Sequence, residues 1–230
     1  MIRIQSRHVL AGLIAVPLIL GSCGPQQEGP SDVLRREFAA ACPKPTWWDE
    51  VSIKGVTIVT YDDLIAYWQN KERSKSQFFK AAYQTILDHP ENTDLLVAAI
   101  GLMPYGDTTY PHTIALLEFA VDHFFDYDRP TMSYSGKSAD TIAGIVEKLA
   151  KAYNGRGRYD DTLALVERFL REREAQTNDH LLELLSLPYA AAHHANGQQE
   201  QAVVVLEDAI SRYEGGWEKR LQDELQRYRN

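Results

Sequence analysis

The sequence predicts an all-α fold, and three observations carry that prediction. From Tyr61 to the C-terminus, apolar residues recur three and four positions apart, the period of a helix with one buried face. The joints between these runs are short and hold helix-ending residues, as in HPEN (89–92) and around Gly157 and Gly197. The least helical stretch, TWWDEVSIKGVTIVT (46–60), is rich in β-branched residues and has Gly55 in its middle. It is the one short segment expected to be irregular or β-like, either a small hairpin or an extended packing segment.

Residues 1–22 read as a unit of their own. Arg3 and Arg7 make a basic start, Val9 to Leu20 is almost wholly apolar, and small residues follow. A membrane span needs about 20 apolar residues. This run is shorter and contains Pro17, so a cleaved export signal is expected rather than a permanent span. Residues 23–30, beginning with Cys23 and continuing GPQQEGP, are polar and rich in Gly and Pro, as a flexible tether would be.

The helices follow in order. Ser31 to Ala41 forms a short helix, with Ser31 available as its cap and Val33, Leu34, Phe38 and Ala41 on one face, and Pro43 and Pro45 stop it. Residues 31–60 thus pair a helix with the irregular segment. Residues 61–230 hold the helical domain: 62–69, 76–87, 93–103, 111–125 with Pro111 in the first turn, 139–154, 159–173, 178–195 and 199–213. Residues 126–138 (DYDRPTMSYSGKS) read as a long loop. Trp217, Leu221, Leu225 and Tyr228 mark a final amphipathic helix that caps the array. Glu147 with Lys151, and Glu167 with Arg171, are expected as i,i+4 pairs on solvent faces.

Two motifs add resemblances to known families. Leu20-Gly21-Ser22-Cys23 resembles the lipobox of bacterial lipoproteins. The resemblance implies cleavage before Cys23 and acylation of its thiol with diacylglycerol. A further chain, of the palmitate kind, is usual on the new amino terminus. Each buried CH₂ would add about 0.8 kcal/mol of anchoring. The residue after Cys23 is Gly24 rather than Asp, which in enterobacterial lipoproteins favours the outer membrane, with the domain facing the periplasm.

AKAYNGRGRYDDTLALVERF (150–169) resembles the centre of a tetratricopeptide repeat. Leu149, Ala150, Tyr153, Gly157 and Tyr159 occupy the matching offsets, and Thr162 stands where the family usually has Ala. A second copy lies 40 residues on: Gly197 matches Gly157, Ala202 matches Thr162, and Ala190, Leu206 and Ala209 fall at small or apolar offsets, with His193 in place of the Tyr. Weaker copies around Pro90, Ile100-Gly101, Tyr110, Thr113 and Ala120 lie upstream. The 40-residue spacing departs from the usual 34. Pro188 predicts a kink or break in the last copy. The resemblance implies a right-handed α-solenoid of antiparallel helix pairs with a concave groove. A different α-hairpin repeat or an irregular bundle is the alternative.

Charge and composition limit function. The chain carries 24 Lys and Arg against 32 Asp and Glu, a net charge of −8. Because residues 1–22 hold two Arg and no acid, the remainder is more negative still. Such a chain suits neither nucleic acid nor an anionic lipid surface. If Cys23 carries lipid, Cys42 has no intramolecular partner, and beside Pro43, with no His or Asn arrangement, it reads as buried or as a mixed-disulfide site rather than a nucleophile. Adjacent His193 and His194 point about 100° apart on a helix and do not chelate together; His112 and His180 have no ligand-spaced partners, so no metal or cofactor is expected. Asp122, Asp126 and Asp128 read as a solvated acidic loop. Trp47-Trp48 would stack on a sugar, grip a partner, or wedge the irregular segment onto the helices. No catalytic constellation emerges. The expectation is a non-catalytic scaffold that binds another envelope protein or peptide; the alternative is a binder of a small ligand or glycan through an aromatic-lined groove.

Overall fold

The computed structural model describes residues 29–53, 55–70, 74–102, 111–127, 132–134, 137–139, 141–177, 179–212 and 216–230. The residues expected as an export signal, Cys23 and most of the expected tether lie outside the described residues, as do Tyr110 and Asp128. Among the described residues ten α-helices follow in order: α1 (Pro30–Ala41), α2 (Tyr61–Gln69), α3 (Lys75–Asp88), α4 (Thr93–Gly101), α5 (Pro111–Phe124), α6 (Thr141–Asn154), α7 (Tyr159–Arg173), α8 (Asp179–Ala195), α9 (Gln199–Arg212) and α10 (Glu218–Arg229). The fold among the described residues is all-α apart from one short hairpin. No helix among the described residues is long and apolar enough to cross a membrane.

Local chemistry sets the helix ends. Thr60 and Asp63 form a capping box at α2, and Ser74 and Gln77 form another at α3. Hydrogen bonds from the Thr60 hydroxyl, the Thr60 N–H and the Val59 N–H hold the Asp63 carboxyl below the ordinary range. At α4, Asn92 accepts from the Leu95 N–H. At α1 the cap is Gly29 with Pro30 in the first turn, not Ser31.

From α3 onward each helix packs on the next, and α2, α4, α6, α8 and α10 also touch one another in succession. One core runs from Phe38 to Leu185, and a second joins α8, α9 and α10 through Leu187, Ala190, Ala202, Leu206, Leu221 and Tyr228. Residues 31–60 share the first core. Phe38 contacts Tyr83 and Phe119, with ring centroids 4.7 and 5.1 Å apart. Trp48 meets Tyr83 edge-on at 4.8 Å, and Trp47 meets Phe79 at 5.7 Å. The Lys80 ammonium donates to the Trp48 and Val51 carbonyls at 2.6 and 2.8 Å, tying down backbone that has no ladder of its own. The segment 46–60 is therefore irregular, with a 3₁₀ turn at Trp48–Glu50, and its described residues form no strand.

Other expectations are corrected or narrowed. Within the loop expected over 126–138, Met132–Tyr134 pairs antiparallel with Lys137–Ala139, with Ser133 opposite Ser138. Of the kink or break expected at Pro188, the break does not occur: α8 runs from Asp179 through Ala195. Glu147 does not face solvent. It is 1% exposed, because α6 is covered by α4, α5, α7 and α8, and it pairs with Lys151 from inside. Elsewhere Arg171 turns to Glu172 at 3.3 Å, and Glu167 accepts from the Tyr189 hydroxyl at 3.4 Å.

Candidate functional site

The expected repeat residues meet at two equivalent joints. At the end of α6, the Gly157 N–H donates to the Asn154 carbonyl and the Arg158 N–H to the Tyr153 carbonyl. At the end of α8, the Gly197 N–H donates to His194 and the Gln198 N–H to His193. Both are Schellman turns, which need a residue with positive φ. Gly157 and Gly197 supply it, with φ of 72° and 75°. Gly157→Ala and Gly197→Ala should each cost about 1–2 kcal/mol, since a Cβ disfavours this conformation even where space is open. Urea denaturation checks this, and unchanged midpoints would remove the glycine argument.

Around the joints, Leu149, Ala150, Tyr153, Thr162, Ala190, Ala202 and Ala209 are buried, and Tyr159 is half-buried. Thr162, where the resemblance expects Ala, makes hydrogen bonds that Ala could not. Its hydroxyl lies 2.8 Å from Asn154 Oδ1 and 3.1 Å from the Ala150 carbonyl. Asn154 Nδ2 then donates to the Pro188 carbonyl at 2.8 Å, so α7, α6 and α8 are linked by one polar chain. His193 is buried edge-on against Tyr189, its Nδ1 2.7 Å from Gln198 Oε1, while His194 stacks on Tyr228 at 4.4 Å. The two imidazoles diverge. Among the described residues no group of three metal-ligating side chains comes together.

The candidate binding surface lies between α5 and α7. A cleft of about 360 Å³ opens there, floored by Leu149 and Tyr153 of α6 and walled by Glu118, Val121 and Asp122 on α5 and Asp161, Leu165 and Arg168 on α7. One end is clamped by Arg158. Its guanidinium reaches Glu118 at 2.9 Å and Asp161 at 2.6 Å and lies 4.1 Å from the Tyr153 ring centre. The Tyr153 hydroxyl also donates to Glu118 at 2.9 Å. Burial, then this bond to a carboxylate, pushes the Tyr153 phenol up, so it remains a donor. Arg168 lies over the Phe125 ring at 3.8 Å and pairs with Glu172 at 3.5 Å. A smaller hollow of about 100 Å³ repeats the pattern between α7 and α9 over α8, bridged by Arg212 to Glu174 and Asp208.

The other sequence candidates go elsewhere. Cys42 is buried and its thiol is pushed up to about 12, by burial first and then by Glu118, which keeps it protonated and poorly nucleophilic. The Tyr83 hydroxyl donates to the Cys42 carbonyl at 2.7 Å. Trp48 is a core residue, and Asp122 sits on α5, inside the helix expected over 111–125. Sequence reading missed Glu118, Arg158 and Arg168 because only packing brings α5 to α7; Arg158, directly after the turn glycine, was the one local signal. It also missed the burial of several charges, Lys148 and Glu183 among them. Lys148 donates to the Gly101 carbonyl, and burial lowers it to about 8, partly offset by Glu147. Glu183 on α8 is 1% exposed and accepts from the Trp217 N–H at the start of α10.

Burial raises the Glu183 carboxyl. The folded state therefore binds its proton more tightly than the unfolded state. That contribution lowers stability as pH rises above the ordinary carboxylate value of 4.5. Glu183→Gln keeps an acceptor for Trp217 and removes the charge. Its urea midpoint relative to wild type should rise between pH 4 and pH 7; an equal difference at both would refute the argument.

Comparison of the chain with family models, with curated proteins and with solved structures gives no match.

Proposed function

We propose that this chain is a lipid-anchored scaffold of the bacterial cell envelope. In this reading Cys23 tethers it to the outer membrane, and residues 61–230 form a right-handed solenoid of antiparallel, tetratricopeptide-like helix pairs facing the periplasm. The solenoid holds another envelope protein or a peptide and performs no reaction. The observation that carries the reading is the recurrence of one joint 40 residues apart, with a positive-φ glycine and buried small residues at matching offsets. The successive contacts of α2, α4, α6, α8 and α10 support it, because stacked pairs share a core in that way. The glycan-binding alternative has less support. Trp48 is buried, Trp47 packs on Phe79, and the Tyr153 ring is covered by Arg158.

Two experiments test the proposal. Cys23→Ala should accumulate as an uncleaved precursor that takes up no radiolabelled palmitate; normal maturation would end the lipoprotein reading. Crosslinking followed by affinity capture from detergent-solubilised envelopes should recover a stoichiometric partner, and repeated failure would sink the scaffold.

A further inference from the structure

We infer that the cleft between α5 and α7 receives a basic side chain, so that the partner segment is a cationic peptide. This rests on the scaffold reading and names the chemistry of what is held. The cleft volume of about 360 Å³ falls in the range of ligand-sized cavities, about 300–1,000 Å³. Its floor and walls offer Leu149, Val121 and Leu165 to the methylene stem of a lysine or arginine.

The charges then choose the sign of the ligand. Glu118, Asp122 and Asp161 line the cleft, against Arg168. Arg158 occupies Glu118 and Asp161, and Arg168 is shared with Glu172. Asp122, exposed at the mouth, takes no hydrogen bond or ion pair among the described residues. An incoming cation meets Asp122 with nothing to displace. An incoming anion must draw Arg158 away from two carboxylates and meets Asp122 as a like charge. The protein itself shows how the cleft holds a guanidinium: Arg158 lies on the Tyr153 ring between two carboxylates, the arrangement that favours arginine over a point charge. The excess of acid over the whole chain would steer a cationic partner toward it.

The test uses the full chain in detergent micelles and a fluorescent octapeptide of alternating leucine and arginine. Its matched control carries citrulline, which keeps the shape and removes the charge. Anisotropy should show binding of the arginine peptide that weakens with salt, and little binding of the citrulline peptide. Asp122→Asn should weaken binding about tenfold, the size of one charge-assisted contact. Asp208→Asn, on the smaller hollow, should leave it unchanged. Methyl resonances of Val121, Leu149 and Leu165 should shift on titration. Equal binding of the citrulline peptide, no binding of either, indifference to Asp122→Asn, or shifts confined to other residues would each overturn the inference. A crosslinked envelope partner retained by Asp122→Asn would leave the scaffold standing while this inference fails.

Discussion

Phe38→Ala is expected to remove about 3–5 kcal/mol of stability, the cost of deleting a fully buried aromatic ring. Phe38 is 0% exposed and joins α1 to Tyr83 on α3 and Phe119 on α5. Tyr83, which packs on Phe38, is itself held by its bond to the Cys42 carbonyl and by Trp48, which opposes its collapse into the space. A domain has about 5–15 kcal/mol in total, so the variant would be near its limit. Urea denaturation followed by both circular dichroism and tryptophan fluorescence checks this. Coincident, strongly lowered transitions are expected, since residues 31–60 share the core of the helical array. A loss below about 1 kcal/mol would show that α1 is not an integral part of that core.

Arg173→Met is expected to cost at least about 3 kcal/mol. Arg173 ends α7, is buried, and donates through Nη1 to the Phe125 carbonyl at 2.8 Å and through Nη2 to the Tyr127 carbonyl at 2.9 Å. Those carbonyls follow the C-terminus of α5, where helix groups lack partners and a cation is favoured. Methionine restores most of the stem volume but no donor, so it isolates the hydrogen bonds from the packing. Two bonds from a charged donor contribute about 1.5–3 kcal/mol each, and the orphaned buried acceptors add to the loss. Arg173→Lys should recover part of it, because an ammonium reaches the carbonyls without the two-pronged geometry. A methionine variant as stable as wild type in urea would show that packing alone fixes this end of α7.

Much of the helical pattern was legible beforehand. The span Tyr159–Arg173 was read residue for residue, because Gly157 ends the preceding helix and the apolar positions of α7 keep one face. The hairpin at Met132–Tyr134 and Lys137–Ala139 was not legible as strands: three residues are too few to show a period of two, although Ser135-Gly136 between them is a turn dipeptide. Pro188 shows the limit of a local rule. A proline disfavours a helix interior locally, yet α8 continues through it where Leu185, Leu187 and Ala190 are buried on both sides. Tertiary packing outweighed the local penalty.

The sequence by itself determined which segments are helical, where two of them turn, and which small residues sit between paired helices. These properties are set by neighbours in the chain: the 3.6-residue period, a glycine's access to positive φ, and the close approach that alanine permits. Only the tertiary structure decided which charges are buried and which meet. Glu147, Arg173 and Glu183 look like surface residues by type, and Glu118 and Asp122 face Asp161 and Arg168 only because α5 and α7 pack over the same helix. A charged residue's surroundings depend on what covers its face of the helix, and that cover comes from residues some 40 positions away.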